Sequence, residues 1–203
     1  LLNYIVVQDC TLYDGETQIQ MSTRRGTYIT LKEVVDAVGV DAARFFFLNR
    51  SCDSHLDFDL ALARKQSSDN PVFYLQYAAA RCASILRKAM EDGYYFEDEA
   101  VRGYYFRPSG DFGGQLEDDE IAVLQHLGRF PVVVARSAST LDILKLINFL
   151  TVSVENFHNY YQRRRVMTED RAISRDRLAI IATFRTVLEN GLRLLGVSAP
   201  ERM

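Results

Sequence analysis

Residues 69–78 read Asp69-Asn70-Pro71-Val72-Phe73-Tyr74-Leu75-Gln76-Tyr77-Ala78, and this stretch decides the fold. Asparagine followed by proline is a helix start. The Asn side chain accepts from an unpaired first-turn amide, and Pro fits the first helical position because its missing N–H would have no partner there. From that start Val72, Leu75, Ala79, Cys82 and Leu86 recur at alternating three- and four-residue spacing. That spacing puts them on one face of a long amphipathic helix ending near Gly93. Downstream, residues 93–116 read as a long acidic connection with tyrosine pairs and glycines in irregular order. Helix returns over 118–129 and resumes after Pro131. Leu144, Ile147, Val154, Phe157 and Tyr161 then trace a second long helix, and Leu178, Ile181, Phe184, Leu188, Leu192 and Leu195 a last one over 170–195, stopped by Gly196. Residues 70–203 are therefore expected to form a bundle of about four or five helices, and the chain to be mainly α.

Upstream the period differs. Leu1-Leu2-Asn3-Tyr4-Ile5-Val6-Val7 reads as a buried strand, and Asp14-Gly15 between Cys10-Thr11-Leu12-Tyr13 and Gln18-Ile19-Gln20 as a hairpin. One strand and one hairpin cannot make a domain, so residues 1–30 are expected to be the end of a larger α/β domain lying upstream. Residues 31–69 read as a helical connecting segment. Thr30-Leu31-Lys32-Glu33 is a capping box, Gly39 a helix stop, and Asp41 the expected N-cap of a second short helix. The consecutive Phe45, Phe46 and Phe47 call for burial between two layers. Residues 51–58 read as a polar connection and 59–67 as a third short helix.

The chain has 203 residues, 48% hydrophobic and 25% charged, which excludes wholesale disorder and suits a packed core. No apolar run approaches the ~20 residues of a membrane span. Three separated cysteines (Cys10, Cys52 and Cys82) form no Cys-x-x-Cys pair, which argues against a zinc site or disulfide framework and suits a reducing cytoplasm. The net charge of −3 conceals a strong asymmetry. Residues 91–120 carry ten acids against Arg102 and Arg107, whereas 157–203 carry nine arginines against five acids. Twenty of the 24 basic residues are arginine, suited to forked contacts with phosphate or carboxylate and to stacking on bases. On composition alone, solvated helix surface or genomic composition is the better reading of these arginines.

Few residues suggest catalysis. His55, His126 and His158 are far apart and lack metal-ligand spacing, and His55-Leu56-Asp57-Phe58-Asp59 reads as a loop with a helix cap. No Walker loop or nucleophile elbow occurs. The segment Gln20-Met21-Ser22-Thr23-Arg24-Arg25-Gly26 stands apart: a loop rich in hydroxyls, guanidinium groups and a glycine can wrap polyphosphate, though on pattern alone a solvated basic turn is the better reading.

That loop, followed by Thr30-Leu31 and by Val40-Asp41-Ala42-Ala43-Arg44-Phe45-Phe46, resembles class I aminoacyl-tRNA synthetases at and after their KMSKS loop. Ser54-His55-Leu56-Asp57-Phe58-Asp59-Leu60, residues 70–78 and the ending Asn190-Gly191-Leu192-Arg193-Leu194-Leu195-Gly196-Val197-Ser198-Ala199-Pro200-Glu201-Arg202-Met203 resemble the arginyl-tRNA synthetases specifically. The resemblance implies a fold in which a helical anticodon-binding domain (70–203) follows a small α/β remnant of a Rossmann catalytic domain (1–30) and a connecting segment (31–69). It implies an ATP-dependent ligation of arginine to its tRNA, with Mg2+ accompanying ATP. The HIGH motif and arginine pocket would lie upstream, so these residues alone would be inactive and need no cofactor. The KMSKS-like residues would be Met21, Ser22, Thr23, Arg24 and Arg25. Gln20 and Thr23 replace the motif lysines, leaving Arg24 and Arg25 as the cations for phosphate.

For tRNA the resemblance implies Tyr161, Arg165 and Met203 around the anticodon bases. Removal of Met203 would then damage binding and spare the fold. Tyr161 and Arg165 are expected one helical turn apart on the same face, offering a ring and a guanidinium plane to an unstacked base, although Tyr161 also extends the apolar stripe through Phe157. Arg163 and Arg164 would meet phosphates, and Gln76, Tyr77 and Arg81 would face them from the other long helix. The implied partners are the anticodon stem-loop of the arginine tRNA, arginine and ATP. A monomer in the cytoplasm, with no membrane partner, is expected. The competing reading is a non-catalytic helical tRNA-binding or protein-interaction module. A cysteinyl enzyme is disfavoured by the absence of a Cys/His zinc-ligand set and by the terminal Ala-Pro-Glu-Arg-Met.

Overall fold

The computed structural model describes residues 5–22, 26, 28–94, 96–98, 103–105 and 116–203. At the N-terminal end the hairpin forms as expected. Strand β1 (Cys10–Asp14) pairs antiparallel with β2 (Thr17–Gln18), and Gly15 supplies the positive φ the turn requires. The expected buried strand over 1–7 is not found. Residues 1–4 lie outside the described residues, while Ile5, Val6 and Val7 are exposed and in no strand. An apolar run alone does not make a strand; it needs a neighbouring backbone, and here the pairing begins only at Gln8, whose N–H donates to the Cys52 carbonyl.

The partner of β1 comes from a stretch expected to be a polar connection. β3 (Leu56–Asp59) lies parallel to β1, with Leu12 opposite Phe58. Phe58 is fully buried, and its ring packs against Phe46 and Phe47 at centroid distances of 5.4 and 5.2 Å. Between these strands run α1 (Leu31–Val38) and α2 (Val40–Leu48). The Thr30–Glu33 capping box is present, as the sequence suggests. Gly39, not Asp41, precedes α2; Asp41 is the second residue of the helix, and its carboxylate accepts from Gln76 and Ser198. Asp59 caps α3 (Leu60–Arg64), which is shorter than the helix expected over 59–67.

The bundle follows the hydrophobic spacing closely. Asn70 accepts from the Val72 amide at the head of α4 (Pro71–Glu91), while its own amide group ties to the carbonyls of Ala63 and Lys65. After α4, β4 (Phe96–Asp98) pairs antiparallel with β5 (Gly103–Tyr105), so the acidic stretch contains a small hairpin where an irregular connection was expected. Then come α5 (Asp118–Leu127), α6 (Phe130–Thr140), α7 (Leu144–Arg163) and α8 (Arg171–Leu195). α4, α7 and α8 pack on one another around Leu75, Leu150, Val154, Phe157, Ile181 and Phe184, all essentially solvent-free. The Phe157 and Phe184 rings stack at 4.6 Å. α6 lies on α7, and α5 lies across α7 and α8.

Candidate nucleic-acid interface

Arg81 leaves α4 toward α7. Its Nη2 donates to the Tyr161 hydroxyl at 3.1 Å, and its guanidinium carbon stands 5.0 Å from the centre of the Tyr161 ring. The same ring packs on Phe157 at 5.9 Å. Tyr161 continues the apolar stripe and also lines a cleft of about 490 Å³. Ser84 and Lys88 of α4 line the same cleft, as do Arg165 and Met167 beyond the end of α7. Arg165 reaches it by a route the spacing did not foresee. α7 stops at Arg163, and Arg164 has extended backbone (φ −119°, ψ 127°), so Arg165 approaches from a loop. The cleft combines one aromatic face with Arg81, Lys88 and the exposed Arg165.

The three consecutive arginines do different things. Arg163 lines a separate small cavity of about 210 Å³ with Asn156, Asn159 and Tyr160. Arg164 is forked onto Asp119, with Nε to Oδ2 at 3.1 Å and Nη2 to Oδ1 at 3.0 Å, and Glu117 stands 3.7 Å from Nη1. This pairing holds the Arg164 guanidinium above its usual range. Arg164 and Arg165 both line the cleft beside Tyr161, but the Arg164 charge is taken up by Asp119, whereas Arg165 is exposed there.

Tyr77 belongs to a neighbouring aromatic groove of about 390 Å³ with Phe73, Tyr74, His158 and Gln162. Its ring is half-exposed, stacked on Phe73 at 6.3 Å and on His158 at 6.4 Å. Burial, with Arg81 nearby, holds the His158 imidazole below its ordinary pKa, so the ring is a neutral, flat member of this groove. Phe73, Tyr74 and His158 were not candidates from the sequence; the i, i+4 pair Phe73–Tyr77 was the available signal. For Ser84 and Lys88 it was their three- and seven-residue spacing from Arg81.

Gln76 faces away from both clefts. Its Nε2 donates to Asp41 Oδ2 at 2.7 Å and to the Ser198 carbonyl at 3.1 Å. Ser198 in turn donates its backbone N–H to Asp41 Oδ1 at 3.2 Å and its hydroxyl to Oδ2. Gln76 thus holds the C-terminal tail. Further along, Glu201 pairs with Arg185 at 3.1 Å, and Met203 is 57% exposed. In the N-terminal loop Met21 is exposed, while Thr23, Arg24 and Arg25 lie outside the described residues. His55 bridges β1 and β3 neighbours, bonded to Thr11 Oγ1 at 2.7 Å. Among the described residues no group of three or more His, Cys, Asp or Glu side chains could hold a metal ion, and no helix is long and apolar enough to cross a membrane.

Residues 75–203 match the DALR anticodon binding domain model. The chain belongs to that family. The anticodon-binding domain so defined contains Gln76, Tyr77, Arg81, Tyr161, Arg163, Arg164, Arg165 and Met203, while Met21 and Ser22 lie upstream of it. Over its whole length the chain is similar to arginine–tRNA ligases, at 46% identity to that of Syntrophotalea carbinolica and 44% to that of Desulfosudis oleivorans. It spans 35% of the length of each of these curated relatives. A solved structure described as an arginyl-tRNA synthetase from Campylobacter jejuni superposes on 97% of the chain with a TM-score of 0.80 at 26% identity, covering 40% of that protein. The Thermus thermophilus arginyl-tRNA synthetase shares the fold, with a TM-score of 0.71 over 97% of this chain and 35% of its own. The chain therefore corresponds to the C-terminal, anticodon-binding region of arginyl-tRNA synthetases.

Proposed function

We propose that this domain reads the anticodon stem-loop of the arginine tRNA for a full-length enzyme that ligates arginine to that tRNA at the expense of ATP. The observation that carries the reading is the cleft between α4 and α7, where the Tyr161 ring, Arg81 and Arg165 face one volume. An unstacked base fits such a site by lying on the aromatic face with a guanidinium beside it. Lys88 adds charge for the adjoining phosphate, which positions the RNA without specifying sequence. Tyr77, with Phe73 and His158, offers a second flat surface for a neighbouring base. Arg163 supports the approach by charge. Arg164 serves the domain itself through its fork onto Asp119, and Gln76 holds the tail. Met203, exposed at the end of that tail, is the residue free to meet an RNA ligand.

The ATP-binding part of the proposal rests on Met21 to Arg25, the KMSKS-like loop, which would hold the triphosphate and its Mg2+ together with residues upstream of this chain. The enzyme is proposed to act as a cytoplasmic monomer.

The deciding experiment is binding of the full-length enzyme to arginine tRNA and to the same tRNA with one anticodon base changed, across a salt series. The wrong base should cost roughly 1–3 kcal/mol at each salt concentration. Tyr161→Ala and Arg165→Ala should each remove most of that discrimination while the backbone-driven salt dependence persists. Equal affinity for both tRNAs would refute anticodon reading by this face and favour a non-catalytic interaction module.

A further inference from the structure

Arg165 sits in the connection between α7 and α8, where an exposed arginine would ordinarily wander. Its backbone carbonyl is instead held by an arginine of α8, and we infer that Arg177 and Glu120 are positioning residues for tRNA recognition, acting through Arg165. The inference rests on the reading of Arg165 as a tRNA contact.

Arg177, six residues into α8, donates from Nη1 to the carbonyl of Arg165 at 2.8 Å. The same guanidinium donates from Nε to Glu120 Oε1 at 2.9 Å, and its side chain is only 12% exposed. Glu120 is 2% exposed. Its second oxygen accepts the Glu117 amide at 3.0 Å, closing the first turn of α5, and the Tyr160 hydroxyl of α7 donates to Oε1 at 3.3 Å. Three helices thus converge on one carboxylate, and that carboxylate orients the arginine that grips the Arg165 carbonyl.

The residues on either side are fixed independently. Arg164 is forked onto Asp119, and the Val166 side chain is buried at 5% exposure. Farther along, the Thr168 amide donates to Ser174 Oγ at 2.8 Å. Residues 164, 165 and 166 are therefore pinned by a side-chain ion pair, a carbonyl contact and core burial respectively. What remains unpinned is the Arg165 side chain, directed into the cleft with Tyr161.

A buried ion pair is an inefficient way to gain stability, since well-packed apolar residues of the same volume serve as well. Its geometry is harder to replace. A guanidinium presents five donors on three nitrogens in a rigid planar fork, so separate nitrogens hold a carboxylate and a carbonyl in a fixed relation; an ammonium carries its three donors on one freely rotating nitrogen and does not fix that relation. The consequence falls on binding, because a loop ordered before its ligand arrives loses less conformational freedom on association.

The test is a double-mutant cycle in the full-length enzyme, measuring KM for tRNA, kcat and thermal unfolding. Arg177→Lys keeps the charge beside Glu120 and loses the fork. It should raise the tRNA KM about tenfold, the worth of one charge-assisted contact, with kcat unchanged. In an Arg165→Ala background the same substitution should change KM by no more than about twofold, because there is no side chain left to position. Glu120→Gln, which keeps the shape of the side chain but gives up the charge that orients Arg177, should follow the same pattern with a smaller rise and decides the cycle if Arg177→Lys does not fold. An equal rise in KM with and without the Arg165 side chain, or no rise in a folded variant, overturns the inference alone. If Arg165→Ala by itself leaves KM unchanged, Arg165 is no tRNA contact and both readings fall.

Discussion

Gly191→Ala tests the closest approach in the bundle. Gly191 lies in α8 against α7, and a Cβ built on it falls 2.4 Å from Cδ2 and 2.8 Å from Cδ1 of Leu150. Carbon atoms in a packed interior rest about 3.5–4.0 Å apart, so the overlap exceeds ~1 Å for one methyl and approaches it for the other. Leu150 is fully buried and cannot swing outward, leaving separation of the two helices as the main relief. Overpacking by one carbon costs ~1–3 kcal/mol, and the severity here argues for the upper half of that range. Alanine's better helix propensity returns about 1 kcal/mol. The expected net loss is ~1–2 kcal/mol, or roughly 2–8 °C in Tm for a chain of this size, measurable by urea and thermal denaturation. Shortening the obstacle with Leu150→Val should recover part of the loss, so that the two substitutions together cost less than their sum by more than ~0.5 kcal/mol. A Gly191→Ala variant as stable as the parent would refute the claim that α7 and α8 are spaced by the missing side chain.

Two further outcomes follow from the geometry. Asp41→Asn keeps the shape of the side chain but gives up the charge that binds the Ser198 amide and hydroxyl and the Gln76 amide. Hydrogen exchange at the Ser198 amide should accelerate by about tenfold while α8 amides are unaffected, and an unchanged rate would show that the carboxylate does not hold the tail. Burial holds His126 and His158 below the ordinary histidine value of 6.5, so below that pH the unfolded chain takes up protons that the folded one resists. Stability should therefore be intact above pH 6.5 and fall as the pH drops from there toward the folded-state values, and His126→Gln should flatten that fall in urea midpoints; an identical slope in the variant would refute it.

The bundle was legible because its signals are local. Asn70-Pro71, the three–four spacing of Val72 to Leu86 and Gly196 each act within one or two turns of helix, and the helices formed where they indicated. β3 was not legible, since Leu56 and Phe58 alternate over only four residues and the strand exists because β1 lies beside it, over forty residues away in sequence. Asp41 misled for the opposite reason: its position beside a helix start is a local cue, but α2 begins one residue earlier, at Val40, and the Asp41 carboxylate bonds to the distant Gln76 and Ser198. At the site, Tyr161 and Arg81 were identifiable as an aromatic and a cation, yet their pairing depends on how α4 packs on α7. The separate fates of Arg163, Arg164 and Arg165 depend on where α7 stops and on the acids of α5. Adjacent identical letters carry no sign of that division of labour.

The tie between Asp41 and Ser198 has a consequence for the order of assembly. Those residues are 157 positions apart. Closing a loop of that length from an unfolded chain costs entropy that grows with the logarithm of its length, and a few exposed hydrogen bonds cannot offset it. Once α2 has docked on α4 and α8 on α4, nearly all of that cost has been met by burial, and the tail closes over a gap of only a few residues beyond Gly196. The latch is therefore a late event in folding, contributing little to the barrier and much to the lifetime of the closed tail: its loss should quicken local opening without slowing the collapse of the bundle.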